Sequence, residues 1–158
     1  MIVTAGFLLL GVAAFCQQET NGTIYIKHPY IDVVDKIVKA YMDQDDATNK
    51  MHYSDTAKYW VSGLDNLVPM GDAYAMWKKD FEYFDDVKLT GFGYPDYLHY
   101  KKDDTQVVQS WWIWSGKSKK TGEVIKVYMV MFDDFNKDGK IVRESVFGDF
   151  SKVIAEQM

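Results

Sequence analysis

The second half of the chain contains three long runs with the composition of β-strands. The runs extend over 106–115, 123–132 and 140–150 and are rich in β-branched and aromatic side chains. Asn136-Lys137-Asp138-Gly139 separates the last two. An Asp-Gly pair in that position is a strong hairpin signal, because glycine accepts the positive φ of a tight turn. We therefore predict an antiparallel meander of three strands.

The first half has helical periodicity instead. Ile31, Val34, Val38 and Tyr41 recur at helical spacing after Pro29, which predicts a helix ending near residue 44. A second amphipathic helix is predicted from the stripe Met70, Ala73, Trp77, Phe81 and Phe84. Between them we expect a short helix capped by Asp46 and ending near residue 53, a strand over 56–61 and a loop over 63–69.

Helices followed by a sheet predict one α+β domain over 28–158, in which the helices cover one face of the sheet. The length of 158 residues and the hydrophobic content of 47% suit a single domain. Residues 17–27 are expected to be a flexible leader. A net charge of -5 argues against nucleic acid as a partner. A single cysteine excludes an internal disulfide and a Cys-rich metal site.

The N-terminus has the pattern of an export signal. The apolar run over 5–15 is too short to span about 30 Å of hydrocarbon, and a polar stretch follows it. We expect residues 1–16 to be a cleaved signal peptide, with the cut after Cys16, which makes the protein periplasmic or secreted. The alternatives are a bacterial lipoprotein anchored to a membrane at acylated Cys16, and a buried N-terminal helix.

Two segments carry a family pattern. The first is IVKAYMDQDD at 37–46 followed by MHYSDTA at 51–57, and the second is FDDFNKDGKIVRE at 132–144. In this order and spacing they resemble the first helix, acidic turn, short helix and final hairpin of the SnoaL-like branch of the nuclear-transport-factor-two-like superfamily. The resemblance covers about 29–153.

The resemblance implies a cone-shaped, cystatin-like α+β barrel, in which a curved antiparallel sheet wraps around the N-terminal helices. The superfamily includes polyketide cyclases, isomerases, dehydratases and binding proteins without catalysis, so the fold does not choose an activity. Steroid-isomerase relatives place a tyrosine on the first helix and an aspartate just after the first strand. Val38 and Val61 stand at about those positions here, which argues against that mechanism.

The segment Ser110-Trp111-Trp112-Ile113-Trp114-Ser115 is the strongest local anomaly. In a strand, Trp112 and Trp114 share one face while Trp111 and Ile113 share the other. The first pair lines a cavity or simply packs in the core. The second pair is expected to anchor a homodimer through the sheet.

We expect an exported binding domain whose cavity encloses a small, largely apolar molecule without a cofactor. The residues expected to bind that ligand are Trp60, Trp77, Phe81, His99, Trp112, Trp114 and Tyr128. Aromatic walls supply apolar contact, and His99 and Tyr128 would orient a carbonyl or hydroxyl group. Three separated histidines without a His-x-x-x-His pair give no support to a metal site.

Two alternatives remain open. The first is a cofactor-independent isomerase, cyclase or dehydratase. Its candidate general bases are Asp55, His99, Glu144 and Asp149, with Tyr59 or Tyr128 as hydrogen-bond donor. The second alternative is a dimeric interaction module without a ligand. A desolvated carboxylate or histidine facing a tyrosine in an enclosed pocket favours catalysis, whereas a purely aromatic pocket favours binding.

Overall fold

The computed structural model describes residues 20–158. Residues 1–19, with the predicted export signal and Cys16, lie outside the described residues. The helices are α1 Pro29–Met42, α2 Asp46–Lys50, α3 Met70–Tyr83 and α4 Ser151–Glu156. The strands are β1 Gly22–Tyr25, β2 Tyr53–Val61, β3 Val68–Pro69, β4 Phe84–Gly91, β5 Asp96–Tyr100, β6 Gln106–Ser118, β7 Val124–Phe135 and β8 Ile141–Gly148. Within 20–158, no helix combines the length and apolar character needed to cross a membrane.

The strands form one curved, unclosed sheet, which confirms the predicted α+β cone fold. Its order is β1-β5-β6-β7-β8-β2-β3, and β4 pairs with β6 beside this path. The predicted meander is present as β6-β7-β8, all antiparallel. The exception to antiparallel pairing is β2 beside β8, where Tyr59 lies opposite Glu144. This parallel contact brings the last strand next to the first long strand.

The predicted first and third helices are confirmed. Helix α1 begins after His28, whose ring Nδ1 accepts a hydrogen bond from the Tyr30 amide at 3.2 Å. Its apolar stripe, including Ile31, Val34 and Val38, is buried against the sheet. Helix α3 buries Met70, Ala73 and Tyr74 in the same core. The two helices and the inner face of the sheet therefore enclose the interior.

The short elements differ from the predictions. Asp45 rather than Asp46 caps α2, because its carboxylate accepts from the Thr48 amide at 3.0 Å, three residues on. The helix ends at Lys50, and Tyr53 already belongs to β2. Val68–Pro69, predicted as loop, pairs with β2.

Part of the predicted flexible leader is ordered as a strand. Residues Gly22–Tyr25 pair antiparallel with β5 at the edge of the sheet. The β-branched and aromatic side chains of Thr23, Ile24 and Tyr25 suit an edge strand. The leader prediction gave this segment no partner, since pairing with β5 requires a contact more than 70 residues along the chain.

Candidate functional site

A cavity of about 70 Å³ lies between α1, α3 and the inner face of the sheet. Most of its wall is apolar. The helices, the inner face of the sheet and Phe150, just after the last strand, all contribute to it. The lining residues are Ile37, Val38, Tyr41, Asn49, Tyr53, Tyr59, Trp77, Asp80, Leu89, Trp114, Met129, Met131, Glu144, Val146 and Phe150. The volume suits roughly five water molecules, or an organic group of a few heavy atoms.

Glu144 is the carboxyl group that β8 points into this cavity. It is buried together with Val146, two residues on, as alternation along a strand requires. The Tyr53 hydroxyl donates a hydrogen bond to Glu144 Oε2. Burial raises the pKa of Glu144 to about 7, and the hydrogen bond from Tyr53 opposes that rise. Near neutral pH this group both accepts and releases a proton.

Asp133 lies directly across the β7–β8 ladder from Glu144. Its side chain is 0% exposed, and neither carboxyl oxygen has a hydrogen-bond partner among the described residues. Burial, followed by the charge of Glu144, raises the pKa of Asp133 well above its ordinary value. Two neighbouring carboxyl groups in an apolar interior do not both ionise readily, so ionisation of either one raises the pKa of the other.

Besides Glu144, the cavity lining contains a further acidic residue, Asp80, on the helical side. Asp80 of α3 accepts a hydrogen bond from the Tyr41 hydroxyl at 2.7 Å, and the Trp114 indole N–H donates to that hydroxyl at 2.9 Å. Gln157 Nε2 donates to the other Asp80 oxygen at 3.0 Å. Burial raises the pKa of Asp80 to about 6, although these hydrogen bonds favour the ionised form.

Tyr59 lies close to both acidic groups of the cavity wall, Glu144 and Asp80. Burial and then the charges of Glu144 and Asp80 raise its pKa, so its hydroxyl stays protonated. Its ring meets that of Trp77 at 5.7 Å and 89°, and the Tyr41 ring meets Trp77 at 5.7 Å and 83°. Trp77 and the two tyrosine rings that stand nearly perpendicular to it therefore form one corner of the cavity.

A wider cavity of about 240 Å³ adjoins the first. Tyr41, Asn49 and Trp77 line both spaces and form the wall between them. The remaining residues around the wider cavity are Ala40, Gln44, Asp46, Tyr74, Lys78 and Phe81. Taken together, the two spaces reach the lower end of the size of ordinary ligand sites, roughly 300 Å³.

The structure places some of the sequence-predicted residues together. Trp77, Trp114 and Glu144 line the inner cavity, and Phe81 lines the wider one. Trp112 shares the inner face with Trp114, as predicted, but packs against the core with its indole N–H on Ser110 Oγ at 2.8 Å. Gly116 gives Trp114 its position, because a Cβ there would lie 2.8 Å from the Trp114 ring.

Three of the predicted ligand-binding residues lie elsewhere, because strand alternation turns two of them outward. Trp60 follows inward Tyr59 and packs on Phe147 at 4.9 Å on the outer face. Tyr128 lies between inward Val127 and Met129 and is 64% exposed. His99, near the edge of the sheet, binds Asp104 at 2.6 Å in the turn between β5 and β6. None of the three lines either cavity.

Two of the predicted general bases also lie outside the cavity. Asp55 is exposed on β2, which leaves Glu144 as the predicted base that reaches the interior. Asp149 is exposed and accepts from the Ser151 amide at 3.0 Å at the start of α4. Its carboxylate therefore shapes the turn into that helix.

Sequence reasoning did not select Tyr41, Tyr53 or Asp80. The resemblance put Val38 at the position of a relative's tyrosine, yet Tyr41, three residues on along the same helix face, also lines the cavity. Asp80 lies three residues after Trp77, so an acidic residue on the apolar stripe of α3 was the available signal. Tyr53 meets Glu144 across 91 residues of sequence, and no local pattern indicates that pairing.

Comparison with solved structures identifies the fold. IdmH from Streptomyces antibioticus, a candidate polyketide cyclase, is 17% identical, with 82% of this chain and 98% of that chain covered and a TM-score of 0.65. A candidate SnoaL-like polyketide cyclase from Shewanella denitrificans is 11% identical, covering 82% and 97%, with a TM-score of 0.58. A ketosteroid isomerase-like protein from Catenulispora acidiphila, solved with trimethylamine, is 12% identical, covering 80% and 92%, with a TM-score of 0.61.

The chain has the SnoaL-like, nuclear-transport-factor-two-like fold. The resemblance drawn from 37–57 and 132–144 is thereby confirmed at the level of fold. No family model matches the sequence, and no curated protein matches it. Within 20–158, no group of three or more His, Cys, Asp or Glu side chains is arranged to hold a metal ion.

Proposed function

We propose that this SnoaL-like chain is a cofactor-independent enzyme that transfers a proton on a small molecule, in the manner of an isomerase, cyclase or dehydratase. The observation that carries the proposal is Glu144, a buried carboxyl group in the cavity wall with the Tyr53 hydroxyl bonded to it. Its pKa of about 7 matches what a general base needs near neutral pH.

The carboxyl group of Glu144 and the tyrosine hydroxyls of the cavity have separate roles. Glu144 removes a proton from the bound molecule and returns it at another position, while the hydrogen bond from Tyr53 steadies its charged form. The Tyr41 hydroxyl, held by Asp80 and Trp114, stands across the cavity. Its proton is donated to Asp80, so the donor for an oxygen on which charge develops is the Tyr59 hydroxyl, which stays protonated and lines the same cavity.

The fold neighbours support a small-molecule role. They include candidate polyketide cyclases, a candidate hydroxylase and isomerase-like proteins, one of them in complex with a small ligand. The small inner volume favours a substrate, or a reacting part of one, of a few heavy atoms. A longer substrate would extend past Tyr41 and Trp77 into the wider cavity.

Isotope exchange tests the proposal without knowledge of the substrate. Small ketones and β-keto esters are incubated with the protein in D₂O, and loss of their α-proton signal is followed by NMR. We expect accelerated exchange for at least one compound, and a loss of about 100-fold or more in Glu144→Gln. Asp55→Asn is the matched control, since it removes a carboxylate outside the cavity. Equal exchange by wild type and Glu144→Gln would refute the proposal.

The second candidate is a binding domain with the same cavity and no chemistry. The apolar and aromatic wall formed by residues such as Trp77, Trp114 and Met129 favours it. Ligand binding with unchanged affinity in Glu144→Gln, together with absence of exchange in the wild type, would favour this candidate over the enzyme.

We further propose that the protein is exported and acts as a homodimer. The export proposal rests on the apolar run over 5–15 and on Cys16. Intact mass of the protein from its native host separates a chain starting at residue 17 from one with an acylated Cys16, and a retained N-terminus would contradict both.

The dimer proposal rests on the exposed aromatic side chains of the outer sheet face, among them Phe92, Tyr128 and Phe147.

A further inference from the structure

The acidic side chains of the inner cavity have no cationic partner within residues 20–158. Asp80 and Glu144 line it, and Asp133 lies next to Glu144 on the neighbouring strand. Among the described residues, no lysine, arginine or histidine lines this cavity. In the wider cavity, Lys78 is paired with Asp46 at 3.2 Å. A buried carboxylate without a partner is costly, so a positive charge inside the cavity would stabilise the ionised forms.

The cavity contains unused hydrogen-bond acceptors. The hydroxyl protons of Tyr41 and Tyr53 are already donated to Asp80 and Glu144. Asn49 is 2% exposed and lines both spaces. Its Nδ2 donates to the Ile37 carbonyl at 3.4 Å, and its Oδ1 has no partner in the part of the chain that the structure describes. Unused acceptors favour a ligand that donates hydrogen bonds.

The aromatic corner provides the remaining part of a cation site. The faces and edges of Tyr41, Tyr59 and Trp77 meet at 83° and 89° and enclose one side of the cavity. A positive charge within about 6 Å of such ring faces is attracted by the electrons of the rings. Apolar substituents on the cation would contact the same rings and the methionines of β7.

We propose that the inner cavity binds a small protonated amine carrying at least one N–H, so that alkylammonium compounds are a ligand class of this site. An N–H donates to Asn49 Oδ1, an ionised carboxyl group of the cavity supplies the opposite charge, and the alkyl groups pack on the aromatic corner. The inference rests on the proposed function for its site, because it concerns the cavity of Glu144.

A matched pair of ligands tests the role of charge. Protonated N,N-dimethylethanolamine and 3-methylbutan-1-ol have nearly the same shape and differ in a charged N–H group against a neutral C–H group. Binding of each to the intact protein is measured at neutral pH by NMR chemical-shift perturbation. We expect the ammonium compound to bind about tenfold tighter or more. Equal affinity, or tighter binding of the alcohol, would overturn the inference.

Two neutral variants locate the effect. Glu144→Gln and Asp80→Asn each keep the side-chain shape and remove an ionisable group, so the preference for the ammonium compound should fall at least several-fold in one or both. Asp55→Asn removes an exposed carboxylate and should leave the preference unchanged. A preference that survives both cavity substitutions, in variants whose NMR spectra show the native fold, would overturn the inference.

The outcome is independent of the test of catalysis. Equal binding of the two ligands would remove the amine while leaving exchange by Glu144 intact. Conversely, absence of Glu144-dependent exchange with a retained ammonium preference would remove the enzyme and leave an amine-binding site.

Discussion

At the scale of single residues, the interior contains three carboxyl groups that have no cationic partner among residues 20–158. Asp80, Asp133 and Glu144 all have raised pKa values, and burial is the largest cause in each case. Tyrosine hydroxyls moderate two of them, whereas Asp133 has no hydrogen-bond partner among the described residues. The cost of keeping such groups in a core is the main reason to assign them a function rather than a structural role.

The raised pKa of Glu144 predicts how stability depends on pH. Because its folded value is about 7 against an ordinary 4.5, the folded protein holds this proton more tightly than the unfolded chain. The stabilisation is present below about pH 4.5 and is lost as pH rises through about 7, by about 3 kcal/mol. Urea unfolding of wild type and Glu144→Gln from pH 4.5 to 7.5 measures it. A difference between the two proteins that does not change with pH would contradict the prediction.

At the scale of secondary-structure elements, β8 is the junction of the sheet. Ile141 pairs with Tyr53 of β2 on one side and with Phe135 of β7 on the other, and it is 0% exposed. Ile141→Ala should lower the free energy of unfolding by about 2–5 kcal/mol, since a buried cavity remains. Ile154→Ala, at a position 47% exposed, is the matched control and should cost less than about 0.5 kcal/mol. Equal losses in urea unfolding would contradict this role of β8.

The elements show what the sequence could predict. Helices α1 and α3 and the meander follow from patterns of 3.6 and 2 residues and from the Asp138-Gly139 turn. Such patterns specify which face of an element is buried. They do not specify partners, so the β1–β5 edge pair and the parallel contact of β2 with β8 were not predicted.

The same limit applies to the site. Trp77 and Trp114 could be named because each stands out within its own element, whereas Glu144 was one of four candidate bases and was named for its place in the last predicted strand. Their partners could not, because Tyr53 with Glu144 and Tyr41 with Asp80 meet only when distant elements pack together. His99 and Tyr128 were named for their chemistry, and the positions of their strands direct them away from the cavity.

At the scale of the whole molecule, the two faces of the sheet differ in exposure. The inner face encloses the cavity, whereas the outer face exposes Tyr128 at 64% and Phe147 at 45%. Trp111, expected as an anchor, lies beneath Gly93 of the loop after β4, where a Cβ would come within 3.2 Å of it. Tyr128 and Phe147 are therefore better candidates than Trp111 for the anchor of a dimer.

The dimer is predicted to depend on that face. We expect light scattering at micromolar concentration to give twice the mass of the chain, and Phe147→Arg to shift the mass toward the monomer, because a charge would be buried at the contact. Ile154→Arg, on α4, is the control and should leave the dimer intact. A wild-type monomer, or a dimer unaffected by Phe147→Arg, would contradict the assignment of this face.

We propose that the folded domain holds Glu144 as a proton-transfer group in its inner cavity. The most direct test is an NMR titration of the side-chain carboxyl carbons in glutamate-labelled protein, with the Glu144 signal assigned by its absence in Glu144→Gln. We predict a midpoint for Glu144 near pH 7, raised by burial and moderated by Tyr53. A midpoint near the ordinary value of 4.5 would show an exposed carboxylate and would contradict the account.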